Sequence, residues 1–351
     1  MAFIRIPNTK IVGMAAAVPK EIVKITDIEY YNAQEAENVT NLTGIRERRI
    51  APEGMVCSDY CQKAAEELIA DLGWEKESID LMIYVSVSRD YNEPNTATVI
   101  QGKMGLPISC ATMDVPMACS GFCYGLSVVG SYLALGQWKR ALLLVGDTQT
   151  HLTSPLDKTL YPLMGDTGTA TALEYNPEAA PMYFNLLNDG AKTTTIYAPS
   201  SGVREPVTEK SLVMEEIEPG VIRNRTHIIM NGMDVFAFAI SQIPKCINQL
   251  CEHFELDLHG ADYLLLHQAN KYIDEKIRKK LKFPEEKTPY CLDDYGNTSS
   301  GTIPLTMISR IPEQLGQGKK KLVMSGFGAG LSWASVYLET ENVRVLPIIE
   351  I

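Results

Sequence analysis

The 351-residue sequence predicts an α/β protein built from two similar halves. Strand-like and helix-like segments alternate along the chain, which is typical of the α/β class. The runs LMIYVSV (81–87) and ALLLVGD (141–147) are almost entirely apolar, as strands buried on both faces of a parallel sheet must be. Between them and the N-terminus, SDYCQKAAEELIADLG (58–73) has a 3.6-residue apolar period, which predicts an amphipathic helix from a capping Ser58 or Asp59 to Gly73.

An internal repeat predicts the two halves. The pattern strand, turn, helix, strand is predicted for residues 113–147 and again for 290–327, and L-G-Q-x-K ends the helix in both. Further upstream, the segment 81–105 is matched in the same way by 263–283. A repeat of this length indicates a duplicated unit.

The repeat sets the expected division of the chain. We expect one half at 1–176 and the other at 227–351. The segment between them, 177–226, is polar and rich in Pro, Gly, Ser and Thr. This composition favours a connection that could also serve as a mobile lid.

Charge and cysteine content narrow the class of function. A net charge of −11 disfavours binding to nucleic acid or to an anionic membrane, and no apolar run has membrane-spanning length. Residues 1–20 lack the pattern of a secretory signal, so the eight cysteines predict reduced thiols and a cytoplasmic location. There is no C-x-x-C motif or histidine cluster, so we expect neither a metal nor a cofactor.

Three residues stand at turns of the repeat. Cys119 lies where a strand is predicted to end and a helix to begin, in MDVPMACSGFCYGL (113–126), while His267 follows three leucines and Asn297 lies in DYGNTSSGT. Each has a purely structural alternative: a core cysteine, a core histidine and a turn asparagine. In duplicated α/β halves that face each other, however, the carboxyl ends of the strands meet where ligands bind. We therefore expect the three side chains to converge.

A thiol, an imidazole and a carboxamide together suit acyl transfer. A thiolate is a nucleophile, and backbone N–H groups at a helix start lower the pKa of a thiol. His267 and Asn297 could both donate hydrogen bonds to one oxygen, as an enolate formed by loss of CO₂ from a malonyl thioester requires. The glycines of MSGFGAGLSW (324–333) follow a buried strand, where backbone N–H groups could form an oxyanion hole.

The motifs resemble those of a known family. In order along the chain, TGIRERRI, ACSGF, MNGMDVF, HQAN, YGNTS and GFGAG are similar to the landmarks of the β-ketoacyl-acyl-carrier-protein synthase III enzymes, which are thiolase-fold condensing enzymes. The resemblance covers nearly the whole chain. It implies a five-layered αβαβα fold and a homodimer.

The resemblance also implies a role for individual residues. Cys119 would take an acyl group from a thioester primer, and His267 and Asn297 would promote decarboxylation of a malonyl carrier protein. The oxyanion hole would use the backbone N–H groups of Cys119 and Ala329. The substrate-binding residues that it implies are Phe327, Gly328 and Glu93.

Three features depart from the family pattern. Asn38 and Leu42 stand where relatives that use acetyl-CoA carry a Trp and an Arg, which leaves open whether CoA or a carrier protein donates the primer. Glu93 stands in the loop that caps the acyl pocket of the partner subunit, where relatives carry an apolar residue. The chain is also longer than a minimal synthase III. We expect a specialised acyl substrate, carrier-bound or polar, rather than housekeeping fatty-acid initiation.

A basic segment follows His267. KYIDEKIRKKLK (271–282) has six basic and two acidic residues, and acyl carrier proteins are acidic. The alternative is an ordinary solvated helix face. The residues predicted to dock a carrier protein are Lys271, Lys276, Arg278, Lys279 and Lys280.

These features predict a decarboxylative Claisen condensation of a Cys-bound acyl group with malonyl carrier protein, giving a 3-oxoacyl product in fatty-acid or polyketide synthesis. Acyl transfer without carbon–carbon bond formation and a non-catalytic partner subunit are the alternatives. A hydroxymethylglutaryl-CoA synthase is disfavoured because no motif supplies its glutamate base. A papain-like hydrolase is disfavoured because it would not contain the repeat.

Overall fold

The computed structural model describes residues 2–351. Short 3₁₀ turns join many of the elements. The strands are β1 (Ala2–Ile6), β2 (Thr9–Val18), β3 (Ile22–Lys24), β4 (Glu47–Arg49), β5 (Leu81–Val85), β6 (Ala111–Val115), β7 (Arg140–Thr148), β8 (Asp166–Tyr175), β9 (Met182–Asn188), β10 (Ile196–Tyr197), β11 (Glu215–Glu218), β12 (Val221–Arg223), β13 (Ile229–Met230), β14 (Tyr263–Leu266), β15 (Lys319–Gly328), β16 (Ser332–Glu341), β17 (Arg344–Val345) and β18 (Ile349–Glu350). The helices are α1 (Ala33–Thr43), α2 (Cys57–Asp71), α3 (Thr96–Met104), α4 (Gly121–Ala134), α5 (Gln149–Leu152), α6 (Gly232–His253), α7 (Lys271–Leu281), α8 (Leu292–Tyr295), α9 (Thr302–Arg310) and α10 (Pro312–Leu315).

Two large sheets carry the duplication that the repeat predicts. The first has the order β17-β2-β8-β7-β5-β6, with β18 also paired to β2, and the second has the order β1-β9-β16-β15-β14. In the first sheet, β2 and β7 run antiparallel to β8, and β5 runs parallel to β7. The second sheet repeats this arrangement, because β9 and β15 run antiparallel to β16 and β14 runs parallel to β15.

The copies differ at one edge. In the first sheet, β6 pairs with β5 as an outer parallel strand. The strand predicted at the start of 290–327 would be its counterpart, but that prediction is wrong: residues 292–295 form the short helix α8, and β14 is the edge of the second sheet. The sequence CLDDYG explains the difference, since aspartates and a glycine disfavour a strand.

Five layers alternate in the order αβαβα, which confirms the predicted fold. Helices α2 and α3 pack on the outer face of the first sheet, and α6 packs on the outer face of the second and carries α7. Helices α4 and α9 lie between the sheets and contact both. None of the helices within residues 2–351 is both long and apolar enough to cross a membrane.

The buried strands are apolar on both faces, as their sequences predict. Along β7, Leu143 and Val145 face the central layer, and Leu142 and Leu144 pack under α2. This alternation follows from the two-residue period of a strand, and burial of both faces requires an uninterrupted apolar run. The central helices α4 and α9 thus fix the position of one sheet relative to the other. Strand ends of both sheets face the same cavity.

The segment 177–226 is not only a connection between the halves, because part of it forms a strand of the second sheet. Its run MYFNLLN forms β9, which pairs with β1 and β16 in the second sheet. The average composition of the segment is polar, so it does not indicate this one short strand. The remainder contains only short strands and turns. The boundaries of the halves at 176 and 227 stay a prediction.

Candidate active site

A cavity of about 370 Å³ opens at the carboxyl ends of the parallel strands of both sheets. From the first sheet, its walls come from the residues that follow β5, β6 and β7, and from the second sheet they come from those that follow β14 and end β15. The three residues that the sequence singled out, Cys119, His267 and Asn297, all line it. The expected meeting of strand ends is therefore observed.

Cys119 lies on the turn between β6 and α4, two residues before the helix begins. Its Sγ lies 3.7 Å from the hydroxyl oxygen of Ser299. The second sheet approaches this turn closely, and a Cβ atom added at Gly328 would lie 2.8 Å from the Cβ of Cys119 and 3.0 Å from its Sγ. Only glycine at position 328 leaves room for the thiol.

The thiol is not preactivated. Burial raises the pKa of the Cys119 thiol to about 12, and the nearby Asp147 carboxylate adds to the rise, although the hydrogen bond with Ser299 opposes it. Loss of hydration in this enclosed cavity therefore acts against the lowering of the pKa that we expected from the helix start. The thiol must lose its proton during the reaction with substrate.

His267 is buried directly after β14. Its backbone N–H donates to the backbone carbonyl of Ser325 on β15. Burial lowers the pKa of its imidazole to about 3, so the ring is neutral at physiological pH. Its Nδ1 lies 2.8 Å from Oγ1 of Thr302, and its ring packs edge-on against Phe327 with a centroid distance of 5.2 Å. These contacts fix the ring and leave Nε2 for substrate.

Asn297 is held from both sides of its backbone. Its N–H donates to the carbonyl of Leu163, and its carbonyl accepts from the N–H of Gly165. The side-chain Oδ1 accepts from the N–H of Ser299 at 2.9 Å. Because the oxygen of the carboxamide is engaged, the group presents its Nδ2 as a donor in the cavity.

Two backbone N–H groups of the cavity wall donate to no other residue within 2–351. They belong to Cys119 and Ala329, which both line the cavity and lie outside any helix or strand. Ala329 follows β15, and its carbonyl accepts from the hydroxyl of Ser332 at 2.7 Å. Free N–H groups beside a nucleophile are the elements of an oxyanion hole.

Comparison with known proteins matches this geometry to one family. A family model described as 3-oxoacyl-[acyl-carrier-protein] synthase III matches residues 113–190, and its C-terminal counterpart matches 251–340. The β-ketoacyl-[acyl-carrier-protein] synthase III of Streptococcus equi subsp. zooepidemicus is 30% identical over 335 residues, which are 94% of this chain and 99% of the relative. The chain belongs to the β-ketoacyl-[acyl-carrier-protein] synthase III family. It is an acyltransferase of this class, whose condensation reaction primes fatty-acid or polyketide synthesis.

Solved structures of 3-oxoacyl-(acyl-carrier-protein) synthases superpose closely on the chain. A 3-oxoacyl-(acyl-carrier protein) synthase from Burkholderia xenovorans has a TM-score of 0.93 and 32% identity, and the match covers 100% of this chain and 99% of that one. The synthase III of Pseudomonas aeruginosa has a TM-score of 0.82 and 25% identity, covering 97% and 100%. The predicted family and fold are confirmed.

Two synthase III motifs serve the walls of the cavity. In TGIRERRI, the buried Arg48 donates to the carbonyls of Tyr161 and Met164, and so ties down a loop whose Met164 lines the cavity. In MNGMDVF, the side chain of Asn231 accepts from the N–H of Asp234 and caps α6. These motifs position the walls rather than supply chemistry.

The residues predicted to bind substrate divide into two groups. Phe327 and Gly328 line the cavity beside Cys119. Glu93, however, is exposed and does not line the cavity of its own chain. Its loop projects from the surface after β5, so a contact with the acyl pocket of a partner subunit stays a prediction.

The basic segment forms α7, whose N-terminal end adjoins the cavity through Ala269. Arg278 does not belong to the docking set. It is buried, its guanidinium pairs with Glu275 at 2.6 Å, and it also donates to the carbonyl of Phe283. The other four predicted docking residues are exposed: Lys271, Lys276, Lys279 and Lys280.

Sequence reasoning missed four polar residues of the site. Ser299 contacts the thiol and Thr302 contacts His267, and both follow Asn297 within the same motif, which is the signal that could have found them. Gln149 and Arg89 line the cavity from the first sheet, after β7 and β5. Nothing in their local sequence distinguishes them. Within residues 2–351, no group of His, Cys, Asp and Glu is placed to hold a metal ion.

Proposed function

We propose that Cys119, His267 and Asn297 carry out a decarboxylative Claisen condensation between a Cys-bound acyl group and a malonyl thioester on an acyl carrier protein. One observation carries the assignment. A single cavity holds a thiol, two backbone N–H groups without an acceptor on another residue, the free Nε2 of a neutral imidazole and the free amide nitrogen of a carboxamide. Acyl transfer alone would not need the last two.

The first half-reaction loads the enzyme. The sulfur of Cys119 attacks the carbonyl carbon of the primer thioester, and the N–H groups of Cys119 and Ala329 bind the oxyanion that forms. The carbon–sulfur bond to the donor then breaks. The donor leaves as a free thiol, which takes up the proton that Cys119 loses. The product is an acyl-Cys119 thioester.

The second half-reaction forms the carbon–carbon bond. The malonyl carboxylate leaves as CO₂, and Nε2 of His267 and Nδ2 of Asn297 donate hydrogen bonds to the thioester oxygen as it becomes an enolate. The enolate carbon attacks the acyl carbonyl, the bond to Cys119 breaks, and the thiolate takes a proton from the solvent to restore the Cys119 thiol. Because His267 is uncharged, it stabilises the enolate by hydrogen bonding and does not have to give up a proton.

The carrier protein docks on the rim formed by the starts of α6 and α7. Phe236 of α6 stacks on Tyr272 of α7 with a centroid distance of 5.7 Å, so the two helix starts adjoin. Val235 and Ala269, beside them, line the cavity. The rim combines exposed apolar side chains, Met233 among them, with the four exposed lysines of α7, which complement an acidic carrier protein.

The enzyme works as a cytoplasmic homodimer in this proposal. Strand β6 is an outer edge of the first sheet, and its five residues are all half-buried, including Met113 and Val115. A flat edge with apolar side chains is a template for pairing with the same edge of a second copy. Light scattering on the purified protein tests the dimer, and a monomer at micromolar concentration would refute it.

Two mass-spectrometric measurements test the function. The intact mass of wild type and of Cys119→Ala is recorded after incubation with acyl-CoAs and acyl carrier proteins, and we expect an acyl adduct on wild type only. Products formed with malonyl carrier protein are then analysed, and we expect a 3-oxoacyl carrier protein with release of CO₂. An adduct without a 3-oxoacyl product would instead indicate acyl transfer to another nucleophile.

The docking surface has its own test. Lys276→Glu with Lys280→Glu reverses two charges on the exposed face of α7, and Lys20→Glu with Lys24→Glu makes a matched double change at exposed lysines of another surface. We expect the α7 double variant alone to raise KM for the carrier protein with kcat unchanged. Equal effects of the two changes would remove α7 as the docking site.

A further inference from the structure

Gln149 is a buried polar side chain without a partner. Only 4% of its surface is exposed, and its carboxamide makes no hydrogen bond with any residue of the range 2–351. The side chain lines the cavity, so its free polar atoms face that space. These polar atoms are not among those fully enclosed by protein, so solvent in the cavity can hydrogen-bond to them, and a bound group with a suitable oxygen can take the place of that solvent.

The backbone around Gln149 is firmly held. The N–H of Thr148 donates to the hydroxyl of Ser88 at 3.0 Å, and the N–H and hydroxyl of Thr150 both donate to the buried carboxylate of Asp166. The carbonyl of Gln149 itself accepts from the hydroxyl of Thr153 at 2.9 Å. The carboxamide is therefore presented to the cavity from a rigid support.

Arg89 lines the same cavity and is its one charged side chain among the described residues. The wall contains no Asp, Glu or Lys, and the imidazole of His267 is neutral because burial lowers its pKa to about 3. No carboxylate of residues 2–351 lies within ion-pair distance of Arg89. Arg89 is also exposed to solvent, so it gives a positive charge to the open end of the cavity.

Sheet topology places the two side chains together. Val85 of β5 pairs with Val145 of β7 in parallel register, and Arg89 and Gln149 each follow four residues later. Cys119 follows β6, the next strand beyond β5. Adjacent strands are spaced by about 4.8 Å, so the strand that precedes Arg89 lies one spacing from β6 and the strand that precedes Gln149 lies two, a span that a short acyl chain on Cys119 can cover.

We propose that the acyl pocket of this chain takes a short acyl group with a hydrogen-bonding oxygen at its far end, a carboxylate foremost, held by Gln149 and Arg89. The proposal rests on the acylation of Cys119 proposed above. It specifies the polar substrate that the sequence led us to expect. A site built around a buried hydrogen-bonding group discriminates strongly against an analogue that lacks the partner atom, because the protein group is then left unpaired.

The test measures initial rates of Cys119 acylation by intact mass. Succinyl and 3-hydroxybutyryl thioesters are compared with butyryl and pentanoyl thioesters, all on the same donor thiol. We expect wild type to load the oxygenated groups at least about tenfold faster, with succinyl first. Gln149→Leu should lose the preference for both, whereas Arg89→Leu should lose the preference for succinyl alone. Arg5→Leu, at an exposed arginine on the edge strand β1, is the matched control.

Each outcome decides a different point. Rapid loading of butyryl and pentanoyl groups by wild type, with no effect of Gln149→Leu, would overturn the proposal and leave the nucleophile established. No adduct from any donor would overturn the acylation of Cys119 and this proposal with it. Loss of the 3-hydroxybutyryl preference in Gln149→Leu, with an unaffected melting temperature, would support recognition of an oxygen by the carboxamide.

Discussion

Nδ1 of His267 and Oγ1 of Thr302 lie 2.8 Å apart, between the end of β14 and the first turn of α9. The same hydroxyl lies 3.0 Å from the carbonyl of Ser299 and has one proton to donate. The Ser299 carbonyl competes with Nδ1 for that proton, and the condensation proposed above requires that Nδ1 receives it, because only then does the imidazole carry its own proton on Nε2 and donate to an enolate. Thr302 is thus a positioning residue for His267.

Thr302→Val removes this partner while keeping the shape of the side chain. We expect malonyl decarboxylation to slow by about 10- to 100-fold, in the range found when the hydrogen-bond partner of a functional histidine is removed. Acylation of Cys119 should change by less than about twofold, because that step does not use Nε2. Thr302→Ser keeps the hydroxyl and should restore decarboxylation. Equal losses in both half-reactions would indicate a merely structural role.

The raised pKa of the Cys119 thiol predicts how it reacts with iodoacetamide. Because the thiolate is the reactive form and the pKa is about 12, the alkylation rate should rise about tenfold per pH unit from about pH 7 to pH 9 without a plateau. Ser299→Ala removes a hydrogen bond that lowers this pKa, so it should slow alkylation at every pH in this range. A plateau below pH 9 would contradict a raised pKa.

The sequence predicted those features of the site that depend on periodicity and motif. The repeat located Cys119 and His267 at strand ends, and the apolar run at 141–147 correctly indicated a strand buried on both faces. Such patterns survive in a sequence because burial constrains each position along a regular element.

Features that depend on packing between distant segments were not predictable. The pKa of Cys119 depends on how completely the two halves exclude water, and no local pattern records this. Arg278 has the sequence context of a surface cation, yet the turn of chain after α7 folds back and buries it. Gln149 follows an apolar strand in an unremarkable context, and only the fold reveals that its carboxamide faces the cavity.

Asp274 of α7 predicts a pH-dependent stability. The carboxyl is fully buried without a hydrogen-bond partner in residues 2–351, and burial raises its pKa well above the usual value, with a further rise from Glu275. The folded protein therefore holds a proton that the unfolded chain releases. The free energy of unfolding should fall as pH rises above the unfolded pKa of about 3.9, by up to about 1.4 kcal/mol per pH unit until the folded pKa is reached.

Replacement with asparagine isolates this effect. Asp274→Asn should be more stable than wild type at about pH 7.5, and the advantage should shrink steadily as the pH is lowered towards 4. Denaturant unfolding at a series of pH values measures both trends. Glu286→Gln, at an exposed carboxylate of the following turn, should leave the pH dependence unchanged. An advantage that is independent of pH would show that Asp274 does not titrate as its burial requires.

Gly328→Ala tests how closely the second sheet must approach the nucleophile. The added methyl group would lie 2.8 Å from the Cβ of Cys119 and 3.0 Å from its Sγ, so the turn before α4 or the end of β15 has to move. A displacement of about 1 Å at reacting atoms slows a reaction by about 100-fold, and we expect a loss of this size in Cys119 acylation. The free energy of unfolding should fall by about 1–3 kcal/mol.

Gly190→Ala, where an added methyl group has nothing within 4 Å, should change neither the acylation rate nor the free energy of unfolding. A Gly328→Ala variant that is less stable but keeps the acylation rate would contradict this prediction. The close contact between the end of β15 and the turn before α4 would then contribute to stability and not to catalysis.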